Sequence, residues 1–75
     1  MLTSRPIKRS LTLVGHRTSV SLEDIFWKQF KRIADEKNQT INGLAAEIDE
    51  NRGDIGLASA IRVYVLEAII DQSSG

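Results

Sequence analysis

The sequence predicts a mainly α domain fronted by a short N-terminal β-ribbon. Three observations carry this expectation. Residues 9–14 and 16–22 alternate apolar and polar side chains with the period of a strand, and the rest of the chain repeats its apolar residues at three- and four-residue spacing. The chain is also short, at 75 residues, and has no cysteine. A chain of this size buries only a modest fraction of its surface and usually needs a metal, disulfides or a partner subunit. Without cysteine, disulfides and thiolate metal sites are excluded, and His16 is the single imidazole. No metal or cofactor is therefore expected, and association with a second copy is the remaining source of stability.

The elements follow in order. Residues 1–8 read as a flexible basic arm, with Pro6 discouraging regular structure around it. In residues 9–14, Leu11 and Leu13 share one face, with Ser10, Thr12 and Val14 on the other. Gly15 permits a bend. In residues 16–21 and the following Leu22, Thr18, Val20 and Leu22 oppose Arg17, Ser19 and Ser21. The two runs fit either one long kinked strand or a first strand paired on the outside of the second. Unless residues 9–14 supply that pairing, the backbone groups of the second run must find the same strand of a second copy.

Ser21-Leu22-Glu23-Asp24 has the form of a capping box, with Ser21 as N-cap. A helix over about 22–37 follows, its stripe made of Leu22, Phe26, Phe30 and Ile33 with Trp27 at the edge. Thr40 is the natural cap of a second helix over 41–51, whose apolar face is Ile41, Leu44, Ala45 and Ile48. Gly53 suits a left-handed stop. The third helix, about 57–72, carries apolar residues around nearly its whole circumference, so it must be covered on every side. Two short helices and a strand do not suffice for that, which points to a subunit interface. Residues 73–75 should fray.

Charge is distributed unevenly. The ten Lys and Arg balance the ten Asp and Glu, yet Arg5, Lys8, Arg9 and Arg17 all precede Glu23, the first acid. A front segment of net charge +4 on a body of −4 is the asymmetry of a nucleic-acid contact. No nucleophile, base and orienting group converge on His16, and residues 53–56 lack the strand and lysine of a phosphate loop, so an enzyme is not expected. No signal-peptide pattern is present, and the longest apolar stretch, 57–70, contains Arg62 and Glu67 and is too short for a bilayer. A cytoplasmic protein without membrane contact is the expectation.

The binding chemistry is more specific. A two-stranded ribbon has the width to enter a DNA major groove, and Arg17 can engage guanine through two hydrogen bonds. Ser19 and Ser21 flank it, although Ser21 is less free if it caps the first helix. Lys8 and Arg9 suit phosphates. The start of the second helix, at Thr40, Asn42 and Gly43, presents unpaired N–H groups of partial positive charge. There Gly43, a poor helix former, lets a phosphate or a neighbouring backbone approach closely.

Thr18-Ser-Val-Ser-Leu-Glu23 running into Phe-Trp-Lys-Gln-Phe-Lys-Arg-Ile-Ala (26–34) and then Asn38-Gln-Thr-Ile-Asn-Gly-Leu44 resembles the ribbon-helix-helix family of DNA-binding proteins over residues 16–50. The longer run from Lys8, with the break at Gly53 and the final helix, is similar to a bacterial ribbon-helix-helix-like subgroup. The resemblance implies an intertwined homodimer whose intermolecular antiparallel strands enter the major groove. Base readers then map onto Arg17, Ser19 and Ser21, and the phosphate clamp onto Thr40, Asn42 and Gly43. Members are mostly transcriptional repressors, or antitoxins that repress their own promoters. The dimer interface is expected at Val20, Leu22, Phe26, Phe30, Leu44, Ile48, Ile61 and Val65. The alternative is an interaction module that keeps the fold but not DNA, using the third helix to build a tetramer or dock a protein partner.

Overall fold

The computed structural model describes residues 5–74. Two strands, β1 (Ile7–Leu13) and β2 (His16–Leu22), are followed by three helices, α1 (Asp24–Glu36), α2 (Ile41–Asn51) and α3 (Leu57–Ser74). Of the arm expected over 1–8, residues 1–4 lie outside the described residues, while Ile7 and Lys8 already belong to β1. The frayed tail expected at 73–75 is also revised, because α3 continues to Ser74, with residue 75 outside the description.

The strands form an antiparallel hairpin within one chain, pairing Arg9 with Val20, Leu11 with Thr18 and Leu13 with His16. The chain therefore completes its own ribbon. Residues 9–14 supply the pairing for β2, and of the two geometries read from the sequence the flanking first strand is the one adopted. Val14 and Gly15 close the hairpin with φ of 48° and 83°. Positive φ at both central residues matches the right-handed twist of the strands, at the cost of placing a β-branched side chain where Asn or Gly fits better.

Leu22 completes β2 instead of opening α1, so the capping box does not form. Glu23 is the N-cap and makes no side-chain cap bond. At its other end α1 closes in a Schellman arrangement. Asn38 takes φ 57°, its N–H donates to Asp35 O (3.0 Å), and the Gln39 N–H reaches Ala34 O (2.9 Å). Gly53, with φ 65°, takes the left-handed stop after α2.

The core lies between the hairpin and the helices. Leu11, Leu13, Val20 and Leu22 come from the sheet, Phe30, Ile33 and Ala34 from α1, Leu44, Ala45 and Ile48 from α2, and Ala60, Ile61 and Val65 from α3. Each large apolar side chain so buried contributes about 1.5–3 kcal/mol. Most of the residues expected at a dimer interface are among them. Val20, Leu22, Phe30, Leu44, Ile48, Ile61 and Val65 are already buried within one chain, and Phe26 is half-buried against them. The hairpin, one of the two geometries read from the sequence, supplies the extra cover. α3 nonetheless leaves Val63, Leu66 and Ile70 about half exposed. Lys37, the C-cap of α1, donates to the Tyr64 hydroxyl at 2.8 Å, and this bond raises its pKa.

Candidate nucleic-acid interface

Register decides which side chains face away from the core. Lys8 pairs with Ser21, Ser10 with Ser19 and Thr12 with Arg17, and all six are exposed on the outer face of the hairpin. No acid is among them. The two cations stand at diagonal corners, Arg17 near the turn and Lys8 near the open end. Arg17, Ser19 and Ser21 thus share one surface, and Ser21 is free of helix capping. Ser10 and Thr12 join them, which sequence reasoning had not assigned. Their alternation with Leu11 and Leu13 was visible; the cross-strand register was not.

Arg9 does not join this face. It has the parity of Leu11 and Leu13, so its side chain turns inward and is only 15 % exposed. The guanidinium donates to Asp24 Oδ1 at 3.0 Å and to Leu22 O at 3.4 Å, and lies over the Trp27 ring at 5.4 Å. The expectation that it meets phosphate is corrected accordingly. Its counterpart is Arg62 of α3, which donates to Glu23 Oε1 at 2.9 Å and Ser21 O at 3.1 Å and covers Phe26 at 5.8 Å. The β2–α1 junction is therefore gripped by two arginines, one from β1 and one from α3. Each binds an acid, the carbonyl at the end of β2 and an aromatic ring of α1. The Arg62 hydrogen bond lowers the pKa of Glu23, and the Arg9 hydrogen bond lowers that of Asp24. The grip fixes the angle at which the ribbon leaves the helices.

The N-terminus of α2 is held against the ribbon. Asn42 Oδ1 accepts from the Thr12 backbone N–H at 3.0 Å. Because that N–H points away from β2, the Thr12–Arg17 pair is a non-hydrogen-bonded one. Thr40 caps α2, its Oγ1 accepting from the Gly43 N–H at 2.9 Å. A Cβ on Gly43 would lie 3.0 Å from that oxygen, so the glycine accommodates the cap itself. The Thr40 O–H and the Asn42 amide N–H₂ remain able to donate. The first-turn N–H groups of Ile41 and Asn42 have no intrahelical acceptor. Thr40, Asn42 and Gly43 are brought together, beside Thr12, at the edge of the outer face.

The edges of the sheet differ. β1 has α2 against it through Asn42. Among the described residues β2 has β1 as its single neighbour, and Arg17, Ser19 and Ser21 turn their backbone groups off its open side by strand alternation. The Ser21 carbonyl meets Arg62 there. Among the described residues no group of three His, Asp or Glu could hold a metal ion, and no helix is long and apolar enough to cross a membrane.

A family model described as Ribbon-helix-helix domain matches residues 6–69, taking in both strands, α1, α2 and most of α3. No curated protein and no solved structure gives a significant match to the chain.

Proposed function

The chain belongs to the ribbon-helix-helix family, and on that premise we propose that it is a sequence-specific DNA-binding transcriptional regulator, a repressor acting as a homodimer. The observation that carries the reading is the outer face of the hairpin. It is a flat run of hydroxyls with Arg17 and Lys8, without an acid, and a helix N-terminus stands at its edge.

In the dimer, β2 pairs along its open edge with β2 of the partner. Four strands at about 4.8 Å spacing span roughly 14 Å, slightly more than the ~12 Å major groove. The central pair, carrying Arg17, Ser19 and Ser21, then enters the groove. β1, with Lys8, Ser10 and Thr12, lies toward the walls, where the phosphates are. Thr40, Asn42 and Gly43 hold phosphate at the flank through N–H donors and the positive end of α2. Base contacts supply sequence preference and phosphate contacts supply register and salt dependence.

Selection of genomic fragments by the purified protein at two salt concentrations tests this. Recovery of a common, two-fold related sequence whose binding weakens by orders of magnitude at the higher salt is expected. Failure to retain any fragment at low salt would instead favour an interaction module, which the exposed Val63, Leu66 and Ile70 of α3 would suit.

A further inference from the structure

Between α2 and α3, away from the hairpin, lies a cleft of about 380 Å³, a size within the range of small-molecule sites. It forms where two helix faces meet. Glu47, Ile48, Asn51 and Arg52 recur one turn apart on α2, and Ala60, Val63, Tyr64 and Glu67 do the same on α3. α3 starts beside the end of α2 and runs toward the end of α1, where Lys37 meets Tyr64 and Glu36 accepts from Gln72. The cleft therefore has two unlike ends.

The end beside α1 is charged and keeps unused hydrogen-bonding capacity. Lys37 gives one of its three N–H groups to the Tyr64 hydroxyl at 2.8 Å, and that hydroxyl, having accepted, still has its own proton to donate. Glu47 accepts from Gln39 at 3.1 Å through Oε2, which leaves Oε1. Glu67 adds a second carboxylate one turn along from Tyr64. The other end is apolar. Ala60 is buried there, Val63 and Ile55 are about half exposed, and Arg52 is occupied by Asp49 Oδ1 and the Ile55 carbonyl, both at 2.6 Å.

We propose that this cleft binds an α-amino acid with an apolar side chain. Its carboxylate sits on Lys37 and the Tyr64 O–H, its ammonium on Glu47 and Glu67, and its side chain on Ala60 and Val63. Charge selects the ligand. Arg52 and Asp49 cancel, and Lys37 against two carboxylates leaves the charged end one negative charge, so a plain carboxylic acid is repelled. A plain amine would leave Lys37 and the Tyr64 proton unused. A zwitterion with both groups on one carbon meets both demands, and its side chain covers the exposed apolar surface at the other end. The site shares no residue with the outer face of the hairpin, so it stands independently of the DNA reading.

Calorimetric titration of the full chain, with backbone amide NMR to locate the ligand, tests this. L-leucine or L-phenylalanine should bind saturably with a dissociation constant below about 1 mM. The amide signals of Glu47, Asn51, Val63, Tyr64 and Glu67 should shift, and those of Ser19 and Ser21 should not. Glycine has the charged groups without the side chain. The amine and the acid obtained by stripping one charged group from the bound amino acid have the side chain without the full head. Each of the three should bind at least about tenfold more weakly. Glu67→Gln and Tyr64→Phe, at an exposed and a half-buried position, should each weaken binding about tenfold while the melting temperature stays near that of the wild type. No binding of either amino acid, shifts confined to another surface, a stripped amine as tight as its parent, or unchanged binding by both variants would overturn the proposal.

Discussion

Replacing Arg17 with alanine separates a base reader from a general cation. Arg17 projects from the outer face opposite Thr12, with hydroxyl neighbours and no acid on that surface. In the dimer two copies reach one groove. A bidentate arginine–guanine contact is worth about 1–3 kcal/mol of discrimination, so two should together cost about 2–6 kcal/mol on the preferred duplex, a factor from roughly 30 to 10⁴. A scrambled duplex loses only the electrostatic share. Lys8→Ala is the control, because a phosphate contact weakens both duplexes alike and reduces the salt slope by about one per copy. Fluorescence anisotropy on both duplexes, at about 50 and 200 mM salt, distinguishes the two behaviours. Equal loss on preferred and scrambled DNA would refute Arg17 as a base reader. No loss on either would remove the outer face from the groove.

Ile61 is fully buried in one chain, so Ile61→Ala should cost about 2–5 kcal/mol of a total near 4–11 kcal/mol for a domain of this size. Thermal melts should show a fall in Tm of roughly 10–30 °C, the same at low and high protein concentration; a fall that depended on concentration would put Ile61 back at a subunit interface. Acid should loosen the β2–α1 junction. The folded pKa values of Glu23 and Asp24 lie below their ordinary 4.5 and 3.8, so their contribution is complete at neutral pH and declines as the pH falls through and below those values. Urea melts against pH should show that decline in the wild type and a shallower one in an Arg9→Ala, Arg62→Ala variant, whereas identical slopes would contradict it. Gly43→Ala gains about 1 kcal/mol of helix propensity but crowds the Thr40 cap, worth about the same. Its Tm should therefore move little while DNA affinity falls on every sequence, and an unchanged affinity would remove the start of α2 from the phosphate contacts.

Much of the architecture was legible because period two and period 3.6 are written directly in the chain. The outward parity of Arg17, Ser19 and Ser21 needed only alternation, and Thr40 and Gly53 mark the two ends of α2 by local chemistry. What escaped was non-local. Ser21-Leu22-Glu23-Asp24 satisfies the capping pattern, but Leu22 is worth more as a fully buried end of β2 than as the first residue of a helix. The parity that puts Leu11 and Leu13 inside puts Arg9 inside too. Its charge suggested phosphate, and only the fold places Asp24 and Trp27 within its reach. The apolar circumference of α3 correctly signals surface left to cover, at Val63, Leu66 and Ile70. It could not say that the hairpin would help to enclose the buried side, where Ile61 and Val65 lie.

The claim that the outer face of the hairpin is the DNA surface is tested most directly by following backbone amide NMR signals while the selected duplex is added at moderate salt. Shifts concentrated at Lys8, Ser10, Thr12, Arg17, Ser19 and Ser21, with a second group at Ile41 and Asn42, are the predicted outcome. Shifts confined to α3, with the ribbon signals unmoved, would contradict it.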